Sequence, residues 1–326
     1  MERNLSRKAM LVLGLGVLAA LLSLVIPEAR LHSFARVAIL AGAAMSLNLL
    51  IGNAGLISIA QALFLGLGAY VIAVANVKFG IAFGTAAVIA MAASIVTSSF
   101  VAAIALRARA LFFALLTLAI AQVFYVLVAR NYNLTGGDDG LVGIAIPAFL
   151  DGEIAQYLLA VASTTVVSLA LLLLIASPFG ATLRAIRDNS DRVASLGGNP
   201  KLYEFSAFLI SGVLASFSGV ALAVIDRAVE PGLISWTTGT ELLVMVALGG
   251  RSTFLGPIAG AIILEVARST VQRYSTHADL VVGLIVIACA MSMPEGIGAA
   301  IAKIRRPKFE REAKAPLPVQ PPEAGR

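Results

Sequence analysis

One stretch of the sequence stands out for its charge. FGATLRAIRDNSDRVASLGGNPKLYEF, residues 179–205, carries Arg184, Arg187, Arg192, Lys201, Asp188, Asp191 and Glu204 in a chain that elsewhere is mostly apolar. Arginines on short helices can pair with carboxylates of another protein, so the chemistry open to this set is recognition. Catalysis would need His, Cys or carboxylates clustered together. The sequence offers only His32 and His277, both near loops, and one cysteine, Cys289, inside an apolar run. An ATP site of the phosphate-loop kind would need Gly-x-x-x-x-Gly-Lys, and the sequence contains no Gly-Lys pair. The expectation is a protein that is not an enzyme and holds no cofactor or metal of its own. Glu265 and Arg268 are three residues apart, which fits a pair on one helix surface better than a proton relay.

The elements that carry these residues follow from composition. Hydrophobic residues make up 59% of the chain and charged ones 13%, with a mean hydropathy of +0.94. Soluble domains average about 45–50% apolar and about 25% charged. Apolar runs of about 20 residues match the thickness of a bilayer's hydrocarbon core. They fall at 9–26, 37–52, 55–75, 81–106, 110–128, 157–176, 202–225, 238–250, 254–272 and 279–299, which gives an all-α polytopic membrane protein of about ten transmembrane helices. The expected organisation is a short cytoplasmic segment 1–8, a transmembrane domain 9–301 and a cytoplasmic, disordered tail 302–326. With the N-terminus inside, seventeen of the 24 Lys and Arg fall in inner segments and seven in outer ones. That asymmetry predicts cytoplasmic termini. The net charge of +6 is thus distributed for a membrane, not for nucleic acid. The basic stretch KIRRPKFERE beside the last run suits anionic lipid. The opening apolar run is longer than a signal core and lacks a small-residue cleavage site, so it is read as a span.

The parity of crossings puts the charged stretch in the cytoplasm, as an inner loop over 178–200. Leu183 and Ile186 lie on one side of a helix, and Asn189 caps a second. Val193 and Leu196 follow three apart, and Gly197 with Gly198 stops the helix before Pro200. Two short amphipathic helices with outward arginines suit either a lipid-facing surface or the grip of a partner protein.

The segment GATLRAIRDNSDRVASLGGNPKLYEFSAFLISGVLASFSGVALA resembles the cytoplasmic coupling loop and following span of ABC importer permeases, specifically the branched-chain amino acid permease family. Three further blocks, LNLLIGNAGLISIAQALFLGLGAY, NLTGGDDGLVGI and ELLVMVALGGRSTFLGPIAGA, are similar to that family's early glycine-rich region, external loop and late glycine-rich region, in family order. The match is nearest the M-type partner of the permease pair. Where the family often has Gly-His, this chain has Ala60-Gln61. The resemblance implies an ABC importer permease fold and a heteromer: two permease subunits, the second a homologue or a copy, two ATP-binding subunits beneath, and a periplasmic solute-binding protein outside. ATP would be used by the partner. The implied setting is a bacterial inner membrane, and the implied solutes are branched-chain or related amino acids, with urea and amides moved by relatives. Coupling to the ATPase would fall to Leu183, Arg184, Ile186, Arg187, Asp188, Val193, Leu196 and Gly197.

A solute path is sought in the two glycine-rich runs, where a helix break exposes backbone groups within the membrane. Asn53, Ser58 and Gln61 form the expected polar lining, Phe64 an apolar wall, and Gly66, Gly249, Gly250 and Gly256 the close approaches; helix packing is the plainer role for those glycines. The external loop 129–156 offers Thr135, Gly136, Gly137, Asp138 and Asp139 as docking residues for the binding protein. The rival class is an ion- or proton-coupled secondary transporter, which would need charges buried along the spans.

Overall fold

The computed structural model describes residues 2–272 except 109 and 252, together with 283. The expected last span, 279–299, and the tail 302–326 lie outside the described residues. Twelve α-helices occur among those described: α1 (Glu2–Leu21), α2 (Glu28–Asn48), α3 (Gln61–Ala73), α4 (Phe83–Ala105), α5 (Leu111–Arg130), α6 (Tyr132–Thr135), α7 (Glu153–Ala176), α8 (Pro178–Asp188), α9 (Ser190–Ser195), α10 (Pro200–Asp226), α11 (Trp236–Gly249) and α12 (Gly256–Gln272). Their starts follow local chemistry. Pro178 and Pro200 open α8 and α10, where a missing N–H costs nothing. Asn199 Oδ1 accepts from Leu202 N, and Ser235 Oγ from Thr238 N.

Seven of these, α1 to α5, α7 and α10, are long and apolar enough to cross a membrane, counting the π-helical turns Leu49–Ala54 after α2 and Val74–Lys78 after α3. The runs expected to span at 238–250 and 254–272 are helices α11 and α12, whose described lengths of 14 and 17 residues fall below that measure. Among the described residues there are thus seven full-length helices and a hairpin of two shorter ones, and the count of ten is not confirmed. Close packing sets that hairpin: a β-carbon at Gly260 would run into the Met245 carbonyl, and one at Gly249 into that of Gly256.

The core lies where α2, α3 and α10 meet. Their windows are 67–72% buried, against 6% for α1. A β-carbon at Gly219 would overlap the Leu65 carbonyl, so α10 and α3 approach to backbone distance. Phe208 closes the gap beside them with edge-on contacts to Phe64 and Phe113, at centroid distances of 5.6 and 6.1 Å. Exposed leucines, valines and phenylalanines on α1, α4 and α5 give the apolar outer surface that lipid requires.

One small β-element departs from the all-helical expectation. β1 (Leu141–Val142) pairs antiparallel with β2 (Ala228–Val229), registering Leu141 with Val229. It ties the loop after α5 to the end of α10, and Asn76 Oδ1 joins by accepting from Ala145 N. These segments share one end of the bundle. The α8–α9 loop, the turn after α2 and the α11–α12 turn share the other, as the alternation of crossings demands.

Candidate coupling and transport site

α8 lies at the end of the bundle opposite the β-ribbon. Leu183 and Ile186 are buried against the chain's own helices, at 0% and 3% exposure. The expectation that these two face a partner with Val193 and Leu196 is therefore revised: they are the anchor that holds α8 to the membrane domain. The exposed apolar side belongs to α9, where Leu196 is 82% exposed and Val193 half-buried. Asn189 caps α9 as expected, its Oδ1 accepting from Arg192 N at 2.8 Å. Gly197 takes φ +86°, a left-handed conformation that turns the chain toward Pro200 and that side chains disfavour.

The arginines divide as well. Arg192 and Arg187 are both exposed and Arg184 is half-buried, but Arg184 and Arg187 each reach a backbone carbonyl of the bundle. Arg184 Nη1 donates to the Ile175 carbonyl at 3.0 Å, and Arg187 Nη1 donates to the Gly52 carbonyl at 2.5 Å. Arg187 also grips Asp188 Oδ1 through Nε and Nη2. Sequence spacing reveals none of this, because Gly52 is 135 residues away.

Gly52 belongs to the break expected in the early glycine-rich run. α2 ends in the π-helical turn, Gly55 takes φ +74°, and residues 55–60 run without helix before α3 starts. Some of their backbone N–H groups bond within the chain: Ile59 N donates to Thr117 Oγ1, and Ala60 N to Ser58 Oγ. Gln61 begins α3 as a buried node. Its Nε2 donates to Ser46 Oγ at 2.6 Å and to the Ser211 carbonyl at 3.1 Å, joining α2, α3 and α10. Ser58, Gln61 and Phe64 are fully buried, while Asn53 is half-buried. Gly66 packs under Ile234. The late run arrives at the same place, since Asn48 Nδ2 donates to the Thr253 carbonyl and a β-carbon at Gly52 would meet the Arg251 carbonyl. Gly250, at φ +93°, and Gly256 shape that turn. The α8–α9 loop and both glycine-rich runs thus converge on the end of α2.

A cavity of about 790 Å³ opens there, lined by Gly55, Leu56, Ala108, Ala110, Arg187 and Asp191 among others. A second, apolar one of about 330 Å³ lies between α1, α2, α7 and α12. Ser58, Gln61 and Phe64 line neither.

At the β-ribbon end, Thr135 Oγ1 reaches the Val128 and Asn131 carbonyls, and Gly136 and Gly137 take positive φ. Asp138 and Asp139 are exposed on that turn. Asp151 pairs with Arg227, and the Asp226 carboxylate lies 3.3 Å from both His32 Nε2 and Arg36 Nη1. Arg268 pairs with Glu241 of α11, so the expected Glu265–Arg268 surface pair gives way to a link across the hairpin. No group of three or more metal-ligating side chains occurs among the described residues.

Two relatives, the high-affinity branched-chain amino acid transport system permease proteins LivM of Escherichia coli and Salmonella typhimurium, are each 24% identical over 280 residues, covering 78% of this chain and 66% of theirs. A LivM relative of Methanocaldococcus jannaschii is 24% identical over 173 residues, or 51% of this chain and 50% of its own. The chain therefore spans about two thirds or less of the length of these relatives. No solved structure matches it. Residues 29–291 match the family described as branched-chain amino acid transport system, permease component, and the chain belongs to that family.

Proposed function

We propose that this chain is the transmembrane permease subunit of an ABC importer for branched-chain or related amino acids. It acts in a heteromer with a second permease subunit, ATP-binding subunits against α8–α9, and a solute-binding protein against the turn at Asp138 and Asp139. In this reading the membrane is a bacterial inner membrane, and α9 and the chain termini face the cytoplasm. The observation that carries the proposal is the α8–α9 pair, anchored by Leu183 and Ile186 while it presents Leu196 and Arg192 outward. A rigid element of this kind can pass a partner's movement into the membrane domain. The sequence holds no Gly-Lys pair for a phosphate loop, so hydrolysis belongs to the partner.

The test compares the purified chain alone with the assembled complex. The chain alone should not hydrolyse ATP, and the complex should do so faster when solute-loaded binding protein is added. A complex that ignores the binding protein would contradict the proposal.

A further inference from the structure

The segment that interrupts the bundle between α2 and α3 is pinned at both ends. At one, Gln61 is locked into Ser46 and Ser211. At the other, Arg187 reaches from α8 to the Gly52 carbonyl, in a π-helical turn whose backbone ends in left-handed Gly55. The arginine lies across that glycine: a β-carbon on Gly55 would come within 2.7 Å of Arg187 Cγ. Between the pins, residues 55–60 have no helical hydrogen-bond ladder of their own. Such a segment shifts with less loss of backbone bonding than a helix would. The guanidinium is held in a fork, with Asp188 Oδ1 on Nε and Nη2 and the Gly52 carbonyl on Nη1, so its direction is fixed by the helix that carries it.

We infer that Arg187 is a positioning residue that links the coupling helix to the break between α2 and α3, so that a displacement of α8 moves residues 52–60 and through them the buried start of α3. This rests on the proposed permease function for its purpose. The mechanical link itself can be measured without any partner.

The experiment uses the full chain with Cys289→Ser, which removes its single cysteine, and places a reporter at Ser58, which is fully buried. Ser58→Cys in lipid nanodiscs should react slowly with a maleimide. Adding Arg187→Gln should raise that rate about tenfold, the effect of losing one charge-assisted hydrogen bond. Arg187→Lys, which keeps one such bond, should give an intermediate rate. A second reporter, Ser94→Cys, is equally buried on α4 and should not change. In the assembled importer, Arg187→Gln should still co-purify the ATPase yet lower solute uptake per ATP hydrolysed several-fold. An unchanged rate at Ser58, or equal increases at Ser58 and Ser94, would overturn the link. A faster Ser58 reaction with uptake per ATP intact would confine Arg187 to holding the segment in place and overturn its part in coupling. If no ATPase associates with the wild-type chain, the permease reading fails while the labelling result still decides the link.

Discussion

Leu183 and Leu196 have the same side chain, thirteen positions apart, and opposite fates. Leu183→Asp places an unpaired carboxylate in a fully enclosed site, at a cost of several kcal/mol. It should lower the yield and thermal stability of the chain itself, with or without a partner. Leu196→Asp sits on the surface and should change stability by about 0.5 kcal/mol or less. Its effect should fall on pull-down of the ATP-binding subunit, which the proposed contact predicts is lost. Equal stability of the two variants in a thermal melt would contradict the division of roles. Gln61 gives a third case. Gln61→Ala removes the cross-helix bonds to Ser46 and Ser211 and should destabilise the purified chain by about 1–2 kcal/mol. Repetition of apolar and charged types shows both leucines as one amphipathic pattern. Only the packing of α8 against the bundle separates them.

At the scale of elements, glycine decides how closely helices approach. α10 and α3 touch through Gly219 and the Leu65 carbonyl, and α11 and α12 through Gly260 and the Met245 carbonyl. Gly219→Val should force the first pair apart and cost about 1–3 kcal/mol in a thermal or denaturant unfolding assay. Gly84→Val on α4, where an added β-carbon meets nothing within 4 Å, is the matched control and should be close to neutral. If both variants unfold alike, helix approach is not what Gly219 provides. The caps and stops of α8, α9 and α10 were readable from Asn189, Gly197 and Pro200, because these act through local backbone geometry. The hairpin was not readable as such. Runs of about 14–17 apolar residues sit between a short span and a buried helix, and hydropathy alone does not distinguish them.

At the scale of the molecule, the sequence made the membrane class, the alternation of crossings and the two-ended arrangement legible, since each depends on composition and order along the chain. The alternation put the loop after α5 and the end of α10 on the same side, and the β-ribbon, which the sequence did not foretell, joins them. Polar contacts between distant residues were beyond reach: the hydrogen bonds of Arg187 to Gly52 and of Gln61 to Ser46 and Ser211, and the ion pair of Arg268 with Glu241, depend on which helices become neighbours. The composition of each run could not show that Ser58 and Gln61 would be bonded inside the chain.

The proposed function makes one demand of the whole assembly, that solute movement be driven by ATP in a partner and not by an ion gradient. The decisive measurement is uptake of labelled leucine by cells that express this chain with its partner subunits, under two separate treatments. Collapse of the proton gradient by an ionophore, with ATP maintained, should leave initial uptake near its untreated rate. Depletion of ATP with the gradient preserved should abolish it. Uptake that survives ATP depletion and stops with the ionophore would contradict the account and assign the chain to gradient-driven transport.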